Sequence, residues 1–337
     1  MIIKLIDDQQ VWENFLATHP GQNFLQSWSW NKFQESLGKR TFPLGFYVQQ
    51  ELKGTALLIK EQAKRGTYLA CPGGPLLFWS EKRSLPVFVQ IASRIAKAEK
   101  AWFIRLRPQL LDSEENKKRF TSFGWAASPM HMHAETTWQL KLDKSQEELL
   151  REMKKGHRYE INKAKRQGVK IVSSIDREEI ELLYRLQLET AKRQKFIPFS
   201  KAFLINQFKA FVRDNQVRIF KAIYAGKPIA AAMIIFYGHQ AVYHYAAGNQ
   251  KAREVSAAYA ICWQAILEAQ KRGLQSFNFW GVAPQEKTSH RFTGLNHFKM
   301  GFGGSRISYL HALDLPLHPC YWLTYLFEKI RKLYRRL

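Results

Sequence analysis

Two stretches of this 337-residue chain share one arrangement of strand, charged turn and apolar strand. They are TFPLGFYVQQELKGTALLI in the first half and QVRIFKAIYAGKPIAAAMII in the second. Each is followed by a further strand, a helix of similar length and a strand that begins on aromatic residues. This self-similarity predicts two copies of one unit, with the order helix, helix, strand meander, helix and strand. The chain is also longer than one hydrophobic core usually serves.

The predicted order of elements is that of the acetyl-CoA-dependent acetyltransferase fold, abbreviated GNAT. The predicted fold class is therefore α/β (α+β), with two tandem GNAT-like acyltransferase domains and an interdomain cleft. We expect domain 1 at residues 1–140 and domain 2 at residues 141–307. That fold holds the pyrophosphate of coenzyme A in a glycine-rich loop before the long helix. The corresponding loops here, PGGPLLFWSEKRS and GNQKAREVSA, lack the required glycine spacing, so coenzyme A binding is not expected.

The charge of the chain indicates a polyanionic partner. Its 52 lysines and arginines exceed its 28 acidic residues, which gives a net charge of +24. Such an excess is typical of proteins that meet RNA, an anionic membrane surface or a phosphorylated substrate. The three cysteines lie in apolar contexts without a metal-binding or disulfide pattern, which indicates a reducing compartment. The N-terminus does not have the pattern of a signal peptide, so we expect a cytoplasmic protein.

Residues 276–306 hold the most specific pattern. A short apolar strand, SFNFWG, precedes a polar segment that carries Lys287, His290 and Arg291. Next comes GLNHFKMGFGG, in which four glycines frame Phe298 and Lys299. Glycine permits positive φ and close backbone approach, so this pattern predicts a loop that places one ammonium beside a ligand. The alternative is a glycine-rich hairpin with a solvated lysine.

Five stretches, taken together in their order and spacing, resemble one known family. They are FLQSWSWNKFQESLG, YLACPGGPLL, GHRYEINKAKRQGVKI, LETAKRQKFIPFSKAFL, and SFNFWG with GLNHFKMGFGG. In them the chain resembles the Fem aminoacyltransferases (FemABX), which add amino acids from aminoacyl-tRNA to the stem peptide of peptidoglycan precursors. The resemblance implies paired acetyltransferase-like domains, with the segment 308–337 a candidate to complete the first domain.

The resemblance also implies site residues. Phe298 and Lys299 match the family's Phe-Lys pair and are the predicted catalytic residues. The predicted substrate-binding residues are Gln26 and Trp30 of the family's N-terminal motif, Arg158, Tyr245, Lys32 and Lys201.

Four positions depart from the family pattern. Gln34 stands where relatives often have a phosphate-binding lysine, with Lys32 two residues away, and Phe199 stands near a family arginine that Lys201 could replace. The other two departures are at Arg107 and Asn278, where aspartate is common.

An aminoacyl ester is already activated, so the implied reaction needs no metal or organic cofactor beyond aminoacyl-tRNA as co-substrate. The enzyme has to bring two large substrates together and stabilise an oxyanion, and Lys299 is the candidate charge for that task. The acceptor would be lipid II or UDP-MurNAc-pentapeptide, and a monomer is expected. Two other functions stay open: an N-acyltransferase that uses acyl-CoA, and a non-catalytic RNA-binding protein.

Two basic segments are candidates for contact with anionic partners. KKGHRYEINKAKR predicts a basic helix, which is either a tRNA contact or a solvated face. Residues 320–337 predict a basic amphipathic helix of the kind that lies on an anionic membrane. Packing of this helix against its own domain is the alternative. Contact at the inner face of the cell membrane is thus one expected property.

Overall fold

The computed structural model describes residues 1–63, 66–79, 81, 83–283 and 293–335. The chain forms two compact units: unit 1 comprises Met1–Glu135 and Ser308–Leu337, and unit 2 comprises Thr136–Ile307. The boundary expected between residues 140 and 141 falls inside a strand, Thr136–Lys141, that pairs within unit 2. The division of the chain therefore lies before this strand.

Unit 1 is built on a mixed sheet. Its strands are β1 (Ile2–Leu5), β2 (Thr41–Val48), β3 (Glu51–Ala63), β4 (Gly66–Gly73), β5 (Leu76–Leu77), β6 (Phe103–Pro108), β7 (Ala126–Ala127) and β15 (Leu313–Pro316). Its helices are α1 (Gln9–Thr18), α2 (Trp28–Ser36), α3 (Ser84–Ala98), α4 (Glu114–Thr121) and α12 (Tyr321–Arg335).

The strand order in this sheet is β1-β2-β3-β4-β6-β15-β7, with β5 paired to β3. The pair β4 and β6 is parallel, and the C-terminal strand β15 lies antiparallel between β6 and β7. Alternation along β6 sends Ile104 and Leu106 into a core shared with Phe88 of α3. Arg105, on the opposite face, bonds to Glu328 of α12. Helices α3 and α12 thus cover opposite faces of β6.

Unit 2 has a second mixed sheet. Its strands are β8 (Thr136–Lys141), β9 (Lys170–Ser174), β10 (Val217–Tyr224), β11 (Lys227–Tyr237), β12 (Gln240–Gly248), β13 (Ser276–Gly281) and β14 (Ser305–Ser308). Its helices are α5 (Gln146–Glu152), α6 (Lys155–Arg166), α7 (Glu179–Gln194), α8 (Lys201–Val212), α9 (Gln250–Glu254), α10 (Ala257–Lys271) and α11 (Thr293–Met300).

The strand order in this sheet is β14-β8-β13-β12-β11-β10-β9. As in unit 1, an antiparallel meander ends in a parallel pair, here β12 and β13. The core of unit 2 is dominated by α10, whose small and branched side chains, including Ala257, Ile261, Ala265 and Ile266, are buried with the sheet. Small residues such as alanine let the helix approach the strands closely.

The elements expected from the sequence are largely present, with two differences. The stretch SQEELLREMKKGHRYEINKAKRQG, whose pattern predicts a helix throughout, forms two helices that are separated at Met153 and Lys154. Helix α4 and strand β7 were not expected, because eight polar-rich residues and a two-residue strand carry little apolar periodicity. Within the described ranges, every helix is too short or too polar to cross a bilayer.

Candidate functional site

The parallel strands of unit 2 pair over three residues and then separate. The pairs are Gln240↔Ser276, Ala241↔Phe277 and Val242↔Asn278, although β12 continues to Gly248 and β13 to Gly281. Beyond the last pair both strands are irregular: His244 is the extra residue where the register between β11 and β12 shifts, and Trp280 has a φ of 64°. Irregularities of this kind are common beside active sites, because they redirect side chains. We call the residues 243–245 and 279–281 the strand opening.

Lys299 brings a buried ammonium to the strand opening. Its side chain is 6% exposed, and Nζ donates a 2.6 Å hydrogen bond to Gly281 O. Burial lowers the pKa of Lys299 to about 8, so the group is still mostly charged at neutral pH. An ammonium has three donors, and Gly281 O is its acceptor among the described residues. The site therefore holds a positive charge with capacity to bond an anionic ligand atom.

The Phe-Lys pair lies on helix α11 and not in the expected glycine-rich loop. The turn comes after the helix, at Gly303 and Gly304, whose φ values are 87° and 92°. A Cβ on Gly304 would lie 2.3 Å from Gln139 O of β8, so only glycine permits this close approach. The loop and the hairpin expected for this pair are both wrong. Lys287, His290 and Arg291 lie outside the described residues.

Phe298 packs against aromatic neighbours and holds α11 in place, and its expected catalytic role stays a prediction. Its ring packs 5.0 Å from Tyr259 and 5.3 Å from Phe302, measured between centroids. Its carbonyl accepts a 2.8 Å hydrogen bond from His157 Nε2. His157 in turn fits only because residue 301 is glycine, where a Cβ would lie 1.9 Å from the imidazole. These contacts fix the helix that carries Lys299.

Tyr245 lies in an aromatic cluster on β12. Its ring centroid is 4.0 Å from that of His244, which packs 5.6 Å from Trp280 of the opposite strand. Burial raises the pKa of Tyr245, so its phenol stays neutral and can donate or accept a hydrogen bond. The ring of Phe199, which is 46% exposed, lies 5.2 Å from Tyr245. Lys201 instead forms an ion pair with Glu181 on α7.

Arg158 serves the fold of unit 2. Its Nη1 donates to the carbonyls of Leu150, Arg151 and Met153, which lie at the C-terminal end of α5. Helix ends leave carbonyls without internal partners, and a guanidinium there is favourable. This nitrogen joins α6 to α5, so substrate binding by Arg158 would have to use its other nitrogens and stays a prediction.

Each site residue expected in unit 1 has contacts within that unit. Gln26 is fully buried; its amide donates to Pro72 O at 2.7 Å and accepts from Leu57 N at 2.9 Å, which joins β4 to β3. Trp30 is buried against other rings. Lys32 is exposed and bonds to Glu35 at 2.8 Å. Their expected contact with substrate remains a prediction.

Lys39 is the residue that the sequence argument missed. Gly38, with a φ of 76°, turns the chain after α2 and returns Lys39 toward the helix. As a result Lys39 Nζ lies 3.0 Å from Gln34 Oε1 and 2.7 Å from Glu61 Oε1. The turn thus supplies an ammonium beside Gln34, where the family resemblance implies a phosphate-binding lysine. Glycine directly after a helix was the available signal.

The chemistry of the strand opening is electrostatic. Lys299 is a fixed cation in surroundings of low dielectric, where its effect on a developing negative charge is stronger than in water. Cys262 lies near Lys299, and burial raises the pKa of its thiol well above the usual value. The thiol is therefore neutral, and a thiolate is the form that acts as a nucleophile. The opening can therefore stabilise a developing negative charge, and Cys262 is not suited to act as a nucleophile there.

Comparison with known proteins identifies the fold and the family. The solved structure of FemX has a TM-score of 0.87 at 18% identity, over 97% of this chain and 100% of that chain. A tandem GNAT protein from the clavulanic acid biosynthesis pathway has a TM-score of 0.59 at 10% identity, over 94% and 99% of the two chains. The fold is therefore a tandem pair of GNAT-like domains.

The model of the FemAB family matches residues 8–223 and 214–329. The chain belongs to the FemAB family. Lipid II:glycine glycyltransferase of Staphylococcus aureus is 24% identical over 217 residues, which are 61% of this chain and 51% of that protein. The chain thus spans about half the length of the curated relatives it matches.

Proposed function

We propose that this protein is an aminoacyltransferase that moves an amino acid from aminoacyl-tRNA to the stem-peptide amine of a peptidoglycan precursor. Membership of the FemAB family supports the class of reaction, and the staphylococcal relative named lipid II:glycine glycyltransferase supports a lipid-linked acceptor. UDP-MurNAc-pentapeptide is the soluble counterpart of that acceptor. The observation that carries the proposal is the buried ammonium of Lys299 at the strand opening.

The reaction exchanges an ester for an amide. The acceptor nitrogen attacks the ester carbonyl carbon, and a tetrahedral intermediate forms with negative charge on the former carbonyl oxygen. The bond to the ribose oxygen of the tRNA then breaks, and the proton lost by the nitrogen ends on that ribose hydroxyl. No redox partner is needed, and the protein has to orient the two substrates and stabilise the oxyanion.

Lys299 is proposed to stabilise that oxyanion. The bond to Gly281 O fixes the ammonium before substrate arrives, so little reorganisation is needed when the charge develops. The exposed ring of Phe199, which packs against the partly buried ring of Tyr245, is proposed to contact the aminoacyl end of the tRNA, because a flat exposed ring can stack on a base. Exposed basic residues of α6 would contact its phosphates: Lys155, Lys165 and Arg166.

Lys39 is proposed to contact a phosphate of the acceptor. Its ammonium takes the place beside Gln34 that the family's lysine would occupy, and its side chain is partly exposed. Gln34 and Glu61 each accept one of its hydrogen bonds, so the ammonium is oriented while its third donor remains for a ligand. Lys39→Gln is expected to raise KM for the acceptor more than it lowers kcat.

The test is incubation with mixed aminoacyl-tRNAs and either lipid II in vesicles or UDP-MurNAc-pentapeptide, with the product identified by mass. One added amino-acid residue on the acceptor is the expected result, and Lys299→Met should abolish most of it. Lys271→Met is the matched control, since this lysine is exposed at the end of α10. An unchanged acceptor mass with every aminoacyl-tRNA would overturn the proposal.

An N-acyltransferase that uses acyl-CoA is the second candidate, because the tandem GNAT relative has a similar fold. The loop after β12 disfavours it. Asn249 Oδ1 accepts from Ala252 N at 3.0 Å and caps α9, so this helix start has already used a donor that a pyrophosphate would need. Saturable binding of coenzyme A in a calorimeter would favour this candidate. Equal binding of charged and uncharged tRNA without transfer would indicate an RNA-binding protein.

A further inference from the structure

The outward face of α12 is apolar along its whole described length. The exposed fractions of its seven apolar and aromatic side chains lie between 40% and 87%. They follow each other at helical spacings of three and four residues and thus form one continuous stripe: Trp322, Leu323, Leu326, Phe327, Ile330, Leu333 and Tyr334. We call this stripe the α12 face. Helices on protein surfaces normally present the opposite pattern, with apolar residues inward.

Polar contacts hold the helix in this orientation. Glu328 accepts hydrogen bonds from both terminal nitrogens of Arg105, at 3.3 and 2.8 Å. Tyr321 is fully buried, and its hydroxyl donates to Asp314 Oδ2 at 3.1 Å. Turning the α12 face inward would break these contacts and leave the Arg105 charge with fewer partners. The face is therefore exposed because the fold fixes it there.

Basic residues border the α12 face. At 100° per residue, Lys329 lies along one edge of the stripe and Arg331 along the other. Lys332 lies on the other side of the helix, where its charge acts on His311, and the sequence continues with Arg335 and Arg336. An apolar stripe flanked by lysine and arginine is the pattern of a helix that lies in a membrane interface, with its charges at the level of anionic headgroups.

From these observations we infer that α12 docks the protein on a bilayer surface that contains anionic phospholipid. The apolar side chains enter the boundary between headgroups and acyl chains, and the basic edges contact phosphates. A second copy of the chain is a poor occupant, because two molecules of net charge +24 repel each other. This docking is separate from the proposed transfer reaction, and it would favour a lipid-linked acceptor if that reaction holds.

Vesicle co-sedimentation tests the inference with the full chain. The apolar variant Leu323→Gln, Leu326→Gln, Ile330→Gln should bind vesicles of phosphatidylglycerol and phosphatidylcholine at least tenfold more weakly than the native chain. The matched control is Leu5→Gln, Val11→Gln, Leu188→Gln, which changes three exposed apolar residues elsewhere and should bind normally. The basic variant Lys329→Gln, Arg331→Gln should lose affinity for the anionic vesicles and part of its salt dependence.

Melting temperatures within a few degrees of the native value show that the variants are folded. The inference would be overturned if the native chain bound anionic vesicles no better than vesicles of pure phosphatidylcholine. It would also be overturned if the native chain and the apolar variant bound anionic vesicles equally well. A native dimer that the apolar variant makes monomeric, with vesicle binding unaltered, would assign the face to a second copy and also overturn it.

A transfer assay separates this inference from the proposed function. The apolar variant should lose turnover on vesicle-embedded lipid II at least fivefold and keep it on soluble UDP-MurNAc-pentapeptide. Absence of transfer to both acceptors, together with normal vesicle binding, would contradict the proposed function and leave the docking intact.

Discussion

The two units contain the same parallel strand pair, and only one of the pairs opens. In unit 1, β4 and β6 stay in register over six residue pairs, from Tyr68↔Phe103 to Gly73↔Pro108. In unit 2, β12 and β13 pair at three positions before they separate. A closed ladder satisfies its own backbone groups, whereas an open one leaves them and the flanking side chains for a ligand. The difference places the proposed catalytic site at the parallel pair of unit 2 and not at that of unit 1.

A buried cation lies beside each parallel strand pair, and the two cations differ in whether an acidic group neutralises their charge. Arg105 on β6 bonds to Asp314 at 2.7 and 2.8 Å and also to Glu328, so its charge is neutralised within unit 1. Lys299 has a backbone carbonyl as its partner, which is a dipole and does not neutralise the charge. The first cation is therefore structural, and the uncompensated charge of the second is consistent with the role proposed for Lys299.

The largest expected effect is on stability in unit 1. Arg105→Met should lower the free energy of unfolding by about 3–5 kcal/mol, because it leaves the buried carboxylate of Asp314 without its cation. Urea unfolding followed by circular dichroism measures the change. Arg94→Met, at an exposed position on α3, is the control and should stay within about 0.5 kcal/mol of the native value. A loss below 1 kcal/mol for Arg105→Met would remove the contrast between the two cations.

Lys299→Met should lower turnover without lowering stability. Turnover in the transfer assay should fall at least about a hundredfold, which corresponds to about 2.7 kcal/mol of transition-state stabilisation. Stability should not fall, because methionine removes a buried charge that lacks an anionic partner in the described structure. Lys299→Arg keeps the charge with a different shape and should retain partial turnover. Native turnover in the Met variant would show that Lys299 has no part in catalysis.

A substitution behind α11 tests whether the position of Lys299 matters. Gly301→Ala should cost about 1–3 kcal/mol and lower turnover, since the added Cβ would displace His157 and with it the helix. Gly294→Ala is the matched control on the same helix, where a Cβ meets nothing within 4 Å. Thermal melting and kcat measure both variants. Equal effects of the two substitutions would show that the His157 contact does not position the helix.

The smallest expected effect is a pH dependence. Lys299 is charged below its lowered pKa of about 8, so the native turnover relative to Lys299→Arg should fall by about tenfold from pH 7 to pH 9. The acceptor amine titrates identically with both enzymes, so the ratio isolates Lys299. A ratio that stays constant across this range would contradict the lowered pKa.

The free energy of unfolding should rise with pH in the range where the turnover falls. Between pH 8 and the usual lysine value of 10.5, the unfolded chain binds the proton that the folded chain has lost. The contribution of Lys299 to the free energy of unfolding therefore rises with pH in this window. Urea unfolding of the native chain and of Lys299→Met at pH 7.5 and 9.5 measures this contribution. A difference in free energy of unfolding between the two proteins that does not shrink at the higher pH would contradict the lowered pKa of Lys299.

The sequence was informative wherever local patterns decide structure. Periodicity predicted α10 and the strand SFNFWG, and the repeated meander predicted tandem GNAT-like domains. The helix around Phe298 was missed because glycines at 294 and 301 lower local helix propensity. Its stability comes from distant partners, Tyr259 and His157, which no local pattern contains. Tertiary contacts thus overrode propensity at the site itself.

The strand opening could not be predicted for a related reason. Whether two parallel strands stay paired depends on register shifts against a third and a fourth strand, here at His244 and Trp280. The outward face of α12 was likewise undecided, because an amphipathic pattern does not tell which face meets the protein. The hydrogen bonds between Glu328 and Arg105, which are more than two hundred residues apart in sequence, fix which face of α12 points outward.

The position of β15 imposes an order on synthesis. This strand lies inside the sheet of unit 1, between β6 and β7, but a ribosome makes it only after the whole of unit 2. Unit 2 is contiguous in sequence and can fold as soon as it has emerged. Unit 1 has to wait, with the edge of β6 unpaired and Arg105 without Asp314 and Glu328. We therefore expect a chain that ends at residue 310 and is released from the ribosome to carry a protease-resistant unit 2 and a protease-sensitive unit 1.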